Sequence, residues 1–296
     1  MDYIQVSDNV GYILGGVNIG VIRNEREAIL IDTGLDKDSG RKILRLLEEI
    51  GLSLEAIINT HSHADHFGGN AYLVRNTDAK VYASRIESGI IQNPILEPIY
   101  LFNGANPIHN LRNKFVLADP SPVDYILEPG KLSIIGQELD IIALPGHSFN
   151  QIGIAVDDVL FCADTVFSER VIDKYRVPVV QDVGKHLETL KRLKKTNYRL
   201  YIPSHTKPVE DITKLVDKNL RTTETILKDI KDLLVEPKTT EEIQSILGKQ
   251  YSLNLNIIQQ YYLIHMTLMA YLGYLYESQQ TDIIIKENLL HWNIKK

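Results

Sequence analysis

The 296-residue chain has one cysteine, Cys162, and one tryptophan, Trp292. A single cysteine excludes an internal disulfide framework and fits a reducing compartment. Long apolar runs are also missing: none approaches the ~18–20 residues that span a bilayer. The opening stretch Met1 to Asp8 has neither the basic start nor the apolar core of a secretory leader, so a cytoplasmic protein without membrane partners is expected. Basic charge is scarce, with 32 Lys and Arg against 38 Asp and Glu and a formal net charge of −6. Neither residues 1–209 nor residues 210–296 carry the basic excess that draws a phosphate backbone, which disfavours nucleic acid as a partner. Internal repeats and low-complexity segments are absent.

What remains is the composition of a globular protein, 44% hydrophobic and 24% charged, long enough for one large domain or two ordinary ones. Tyr12 to Arg23 and Glu27 to Thr33 read as strands. Within the second, Ala28-Ile29-Leu30-Ile31 is apolar throughout and so predicted to be buried on both faces. A helix is predicted from Asp38 to Ile50, stopped by Gly51. Further strands follow at 56–59, 81–83, 123–127, 132–135, 139–144, 152–156, 159–162 and 200–202, with a helix over 182–194. Residues 86–124, interrupted by Pro94, Pro98, Pro107, Pro120 and Pro122, form too long a connection for a simple loop. They read as a partly helical insertion or lid with apolar residues Ile95, Ile99, Tyr100, Leu101 and Phe102. After Pro208 the pattern turns helical: 212–234, a helix opening on Thr239-Thr240-Glu241-Glu242, and 256–276. A small hairpin over 283–292 completes a winged-helix-like order of elements, and the tyrosines of the last long helix suit packing on the preceding part of the chain or on a second copy in a homodimer.

Chemistry concentrates in His61-Ser62-His63-Ala64-Asp65-His66, directly after a strand. Alternate residues of an extended segment point the same way, so His61 and His63 can hold one cation, while Asp65 and His66 swing towards a second as the chain turns. Imidazole and carboxylate suit zinc, and also iron or manganese. Gly68-Gly69 allows close backbone approach. Three more segments place His or Asp at a strand end: Pro145-Gly146-His147, Phe161-Cys162-Ala163-Asp164 and Pro203-Ser204-His205. Ser148 and Ser204 flank histidines without an evident base, which argues against a serine triad. Cys162 reads as a small core residue, and His109, His186, His265 and His291 as surface or core residues.

With these four motifs in this order, residues 1–210 resemble the metallo-β-lactamase superfamily. The resemblance implies an α/β fold, a four-layer αββα sandwich, as a catalytic domain over 1–210, with 211–296 as a helical C-terminal domain. It assigns His61, His63 and His147 to one metal ion, Asp65, His66 and His205 to another, and Asp164 to both. Asp32, in Ile31-Asp32-Thr33-Gly34, matches a position just outside the metal shell, where it would fix the tautomer of a histidine. Two divalent ions, zinc foremost, would share a water and lower its pKa towards neutrality, with Asp65 orienting the nucleophile. The implied activity is hydrolysis of a thioester or small ester, as in the glyoxalase II branch. His147-Ser148-Phe149-Asn150-Gln151 departs from that branch by lacking its glycine after the histidine. Two alternatives stay open: a phosphodiesterase or nuclease, and a mononuclear iron dioxygenase acting on persulfides.

Overall fold

The protein is described by a computed structural model covering residues 1–295. The chain opens with four strands in antiparallel succession, β1 (Asp2–Gln5), β2 (Val10–Leu14), β3 (Ile19–Asn24) and β4 (Glu27–Ile31). The single strand expected from Tyr12 to Arg23 is therefore a hairpin. It breaks at Gly15-Gly16, where the backbone leaves the sheet and turns a carbonyl towards His205. Helix α1 (Lys37–Glu49) starts where the Asp36 carboxylate accepts the Ser39 N–H at 3.1 Å. It buries Ile43 and Leu47 and ends before Gly51, whose φ of +74° suits glycine.

Strand β5 (Ser53–Asn59) runs parallel to β4, and after the short helices α2 (Ala64–Phe67) and α3 (Asn70–Asn76), β6 (Lys80–Ser84) runs parallel to β5. Helices α4 (Arg85–Gln92) and α5 (Leu96–Leu101) occupy the stretch expected to be a partly helical insertion, before β7 (Tyr125–Leu127) completes the first sheet in the order β1 to β7. A second sheet forms from β8 (Gly130–Ile134), β9 (Gln137–Ala143), β10 (Ile152–Val156) and β11 (Val159–Ala163) as an antiparallel meander. After α6 (Glu169–Tyr175) and α7 (Val183–Leu193), β12 (Leu200–Pro203) adds parallel to β11. The C-terminal part is α8 (Thr213–Leu233), α9 (Thr240–Gln250), α10 (Ile258–Glu277) and the hairpin β13 (Thr281–Lys286) with β14 (Leu289–Ile294).

Strand alternation divides the apolar residues among layers. Ile22, Ile29, Ile31 and Ile58 of the first sheet meet Ile141, Ile152, Ile154 and Phe161 of the second in a central core. The opposite face of the first sheet, with Leu30, Ile57 and Val81, packs on Ile43 and Leu47 of α1 and Leu73 of α3. The outer face of the second, with Ala155, Leu160 and Cys162, packs on Leu190 and Leu193 of α7 and Val216 of α8. This is the αββα sandwich, with Cys162 fully buried in its outer core. Val177, Val180, Val183 and Leu187 join α8, α9, α10 and Trp292 in a further core, so the C-terminal helices bury apolar surface against segments that precede residue 210. Among the described residues, no helix is long and apolar enough to cross a membrane.

Candidate metal centre

The C-terminal ends of β4, β5, β9, β11 and β12 open at one edge of the sandwich, because all five point the same way. Each is followed by one of the segments singled out in the sequence. His61 Nε2 lies 3.1 Å from His63 Nδ1, and His147 Nε2 lies 2.9 Å from the same atom. Three lone-pair nitrogens thus converge, an arrangement that repels itself unless a cation or proton sits among them. Asp65, His66 and His205 form a second set whose ligand-type atoms lie within 4.8 Å of one another. Asp164 stands between the sets: its Oδ2 is 3.5 Å from His147 Nε2 and 3.1 Å from His205 Nε2, and its Oδ1 is 3.5 Å from His66 Nε2. All seven expected ligand residues are brought together.

The histidines are aimed by what their far nitrogens hold. His66 Nδ1–H donates to Asp32 Oδ2 at 2.8 Å, as expected of Asp32. His147 Nδ1–H donates to the Val179 carbonyl and His205 Nδ1–H to the Gly16 carbonyl, both at 2.9 Å. His61 Nδ1 meets the Thr60 hydroxyl, which itself donates to Asp32. Each of these four rings therefore turns Nε2 into the cluster, whereas His63 presents Nδ1. Asp32 has φ +62°, a left-handed conformation costing a non-glycine residue about 1–3 kcal/mol. Bonds from Thr60 N, Thr60 Oγ1 and His66 to its carboxylate hold it there. Gly146, at φ +135°, has no alternative: a Cβ would lie 2.4 Å from the His186 backbone. The Gly68 backbone likewise approaches Leu35 so closely that a Cβ would sit 1.9 Å from its carbonyl oxygen.

The charge balance fits cations. Burial depresses His61 well below the usual histidine range, and brings His63 and His147 down to about 4, leaving neutral rings suited to coordination. Burial also opposes charge on His66, but Asp164, Asp32 and Asp65 outweigh it and push the ring up to about 10. His205 rises to about 12 because Asp164 and Asp65 overcome its burial. Conversely, burial would raise Asp65, yet His66 and His205 draw it down to about 2, and His205 and His66 hold Asp164 well below the usual carboxylate range. His66 Nε2 and Asp164 Oδ1 are buried without a hydrogen-bond partner. Orphaned polar atoms of this kind, facing each other inside a His and Asp cluster, are what a divalent cation would satisfy.

One organising residue carries no signal in the sequence. Glu87 of α4 is 1% exposed and accepts four hydrogen bonds: from Ser62 N and Oγ on one oxygen, and from Ser148 Oγ and Asn150 N on the other. It ties the His61–His63 loop to the His147 loop. Arg85-Ile86-Glu87-Ser88 reads as an ordinary helix start, and only the serines beside His61 and His147 hint at a shared partner. The Ser62 and Ser148 hydroxyls both donate to Glu87. His186 is buried against Gly146, and burial draws it down to about 3. Its role is packing beneath the His147 turn.

Residues 12–205 match the sequence profile of the Metallo-beta-lactamase superfamily, and the chain belongs to that family. A hydroxyacylglutathione hydrolase from Albidiferax ferrireducens is 30% identical over 155 residues, covering 51% of this chain and 48% of that protein. The chain spans about half the length of the curated relatives it matches. Two solved structures share the fold over nearly the whole chain. A metallo-beta-lactamase family protein from Thermus thermophilus has a TM-score of 0.74 at 20% identity, covering 94% of each chain. A beta-lactamase domain protein from Burkholderia ambifaria has a TM-score of 0.78 at 19% identity, covering 99% of this chain and 94% of the other.

Proposed function

We propose that the protein is a metal-dependent hydrolase that cleaves a thioester or small ester at a centre for two divalent ions, zinc foremost. One observation carries the reading: Asp164 lies between two sets of donors, with its Oδ1 and His66 Nε2 left without partners. His61, His63 and His147 would hold one ion, Asp65, His66 and His205 the other, and Asp164 both. Cations held there supply the positive charge that acidifies water and stabilises an oxyanion.

The rest falls to the chain. Asp32, Gly16, Val179 and Thr60 keep four histidines in the tautomer that offers Nε2. Asp65 is the most open carboxylate of the cluster, with a side chain 38% exposed. It stays ionised across the neutral range, where it orients the attacking water and accepts its proton on a carboxylate oxygen. The similarity to hydroxyacylglutathione hydrolases supports acyl transfer to water over phosphoryl chemistry.

The test is a rate comparison on zinc-reconstituted protein with S-acyl N-acetylcysteamine thioesters, p-nitrophenyl acyl esters and bis(p-nitrophenyl) phosphate. Acyl substrates are expected to turn over at least about 100-fold faster, a difference of about 2.7 kcal/mol in barrier. Faster phosphodiester cleavage would overturn the reading.

A further inference from the structure

The C-terminal hairpin carries an apolar edge that nothing among the described residues pairs with. Strands β13 and β14 form a sheet of their own. Glu287-Asn288 joins them, and φ values of +54° and +64° give the tight turn that suits a two-residue hairpin. The base of the hairpin is anchored by Thr281 and Trp292, both buried. Towards the tip Ile283, Ile284, Ile285, Leu289 and Leu290 are exposed, Ile285 to 76%. Tyr271 and Tyr274 of α10, by contrast, pack within the C-terminal core, so the hairpin rather than those tyrosines is left for a second copy.

Its two edges differ. On β14, the Trp292 N–H and carbonyl exchange hydrogen bonds with Lys238, and the Ile294 N–H donates to the Leu234 carbonyl. Trp292 therefore turns its backbone groups away from β13, and Ile283, directly opposite, turns its own away from β14. Alternation gives Ile285 the same outward orientation. No backbone hydrogen bond among the described residues meets these outward groups of Ile283 and Ile285. The strand has no proline, and its register runs unbroken from Thr281 to Lys286. An apolar edge of this kind is a template for pairing with another chain.

The sequence of β13, Thr281-Asp282-Ile283-Ile284-Ile285-Lys286, is also complementary to itself. When two such strands run antiparallel about Ile284, Ile283 of each copy faces Ile285 of the other, and these are the residues with outward N–H and C=O groups. Asp282 then faces Lys286 of the second copy, once on each side of the two-fold axis. Moving the axis to Ile283 or Ile285 leaves both charges opposite uncharged residues. Charge thus selects one register.

We propose that the protein forms a symmetric dimer in which the β13 strands of two copies pair antiparallel about Ile284, joining their hairpins into one four-stranded sheet. The interface is small, so dissociation in the micromolar range is expected. Neither metal nor substrate enters the pairing, and it stands apart from the hydrolase reading.

Sedimentation velocity of the full chain from about 1 to 200 µM should show a concentration-dependent dimer. Asp282→Lys and Lys286→Asp each oppose like charges twice, and each should weaken association about tenfold or more. An equimolar mixture of the two variants sets Lys against Asp at both places and should associate like the native chain, a rescue that misfolding could not give. Ile284→Cys brings two thiols together in a non-hydrogen-bonded pair, with Cα atoms about 4.5 Å apart, and should form disulfide-linked dimers on mild oxidation. Ile283→Cys, whose two copies lie diagonally, should not, and the native Cys162 is buried. A native chain that stays monomeric over this range would overturn the proposal, as would a dimer indifferent to both charge reversals.

Discussion

Protons occupy part of the place of cations in the metal-free protein. His66 at about 10 and His205 at about 12 are both charged at pH 7, whereas coordination needs both neutral. Loading at pH 7 should therefore release about two protons per chain, because both values lie well above that pH. Calorimetric titration with zinc in buffers of different ionisation enthalpy reads the number directly, and a release near zero would contradict the assignment. The His61, His63 and His147 set is already neutral at pH 7, so it should fill first. Asp164→Ala should leave at most one ion per chain and abolish turnover, since it removes the carboxylate shared by both sets. Glu87→Gln should weaken metal binding by about 10–100-fold, measured by competition with a chromophoric chelator, because four donors lose a charged acceptor. At this scale the seven donors and Asp32 are legible because each stands in a short motif after an apolar strand. Glu87 and the carbonyl of Gly16 are not, because their partners Ser148 and His205 lie 61 and 189 residues away in the chain.

Elements are legible where the apolar period is long. The strand 152–156 and the helices over 182–194, 212–234 and 256–276 differ from the observed β10, α7, α8 and α10 by a few terminal residues at most. The failures share a cause: a backbone turn made for a distant partner leaves no periodic signal. Gly15-Gly16 splits an apparent single strand so that Gly16 can serve His205; the 86–124 stretch is partly helical as expected, but its prolines leave the bounds of α4 and α5 unmarked. In sequence that stretch reads as a partly helical insertion or lid. With Glu87 inside it, a deletion of 86–124 is expected to lower zinc content below one ion per chain, and a folded deletion variant holding two would contradict this. In the C-terminal helices, the cap of α9 is visible as Thr239 with Glu242, and both halves of its capping box form. Trp292 of β14 is 4% exposed, and its indole N–H donates to Thr240 Oγ1 at 3.1 Å. Trp292→Ala should cost about 3–5 kcal/mol, read from denaturant unfolding of the metal-loaded protein. A loss under about 1 kcal/mol would mean the hairpin contributes little to that core.

Across the whole molecule, the sandwich explains why residues spread from 16 to 205 meet at one edge. Five strands pointing the same way deliver their C-terminal ends together, and each delivers chemistry rather than a plain turn. The order of motifs is therefore enough to anticipate the layers and the cluster. The packing of α5 on α10 follows only from the assembled fold. The central claim is that this edge is a centre for two ions sharing Asp164. Elemental analysis of protein purified without added metal or chelator tests it most directly. About two divalent ions per chain, zinc foremost, are expected. A single iron per chain would contradict it and turn attention to oxygen chemistry.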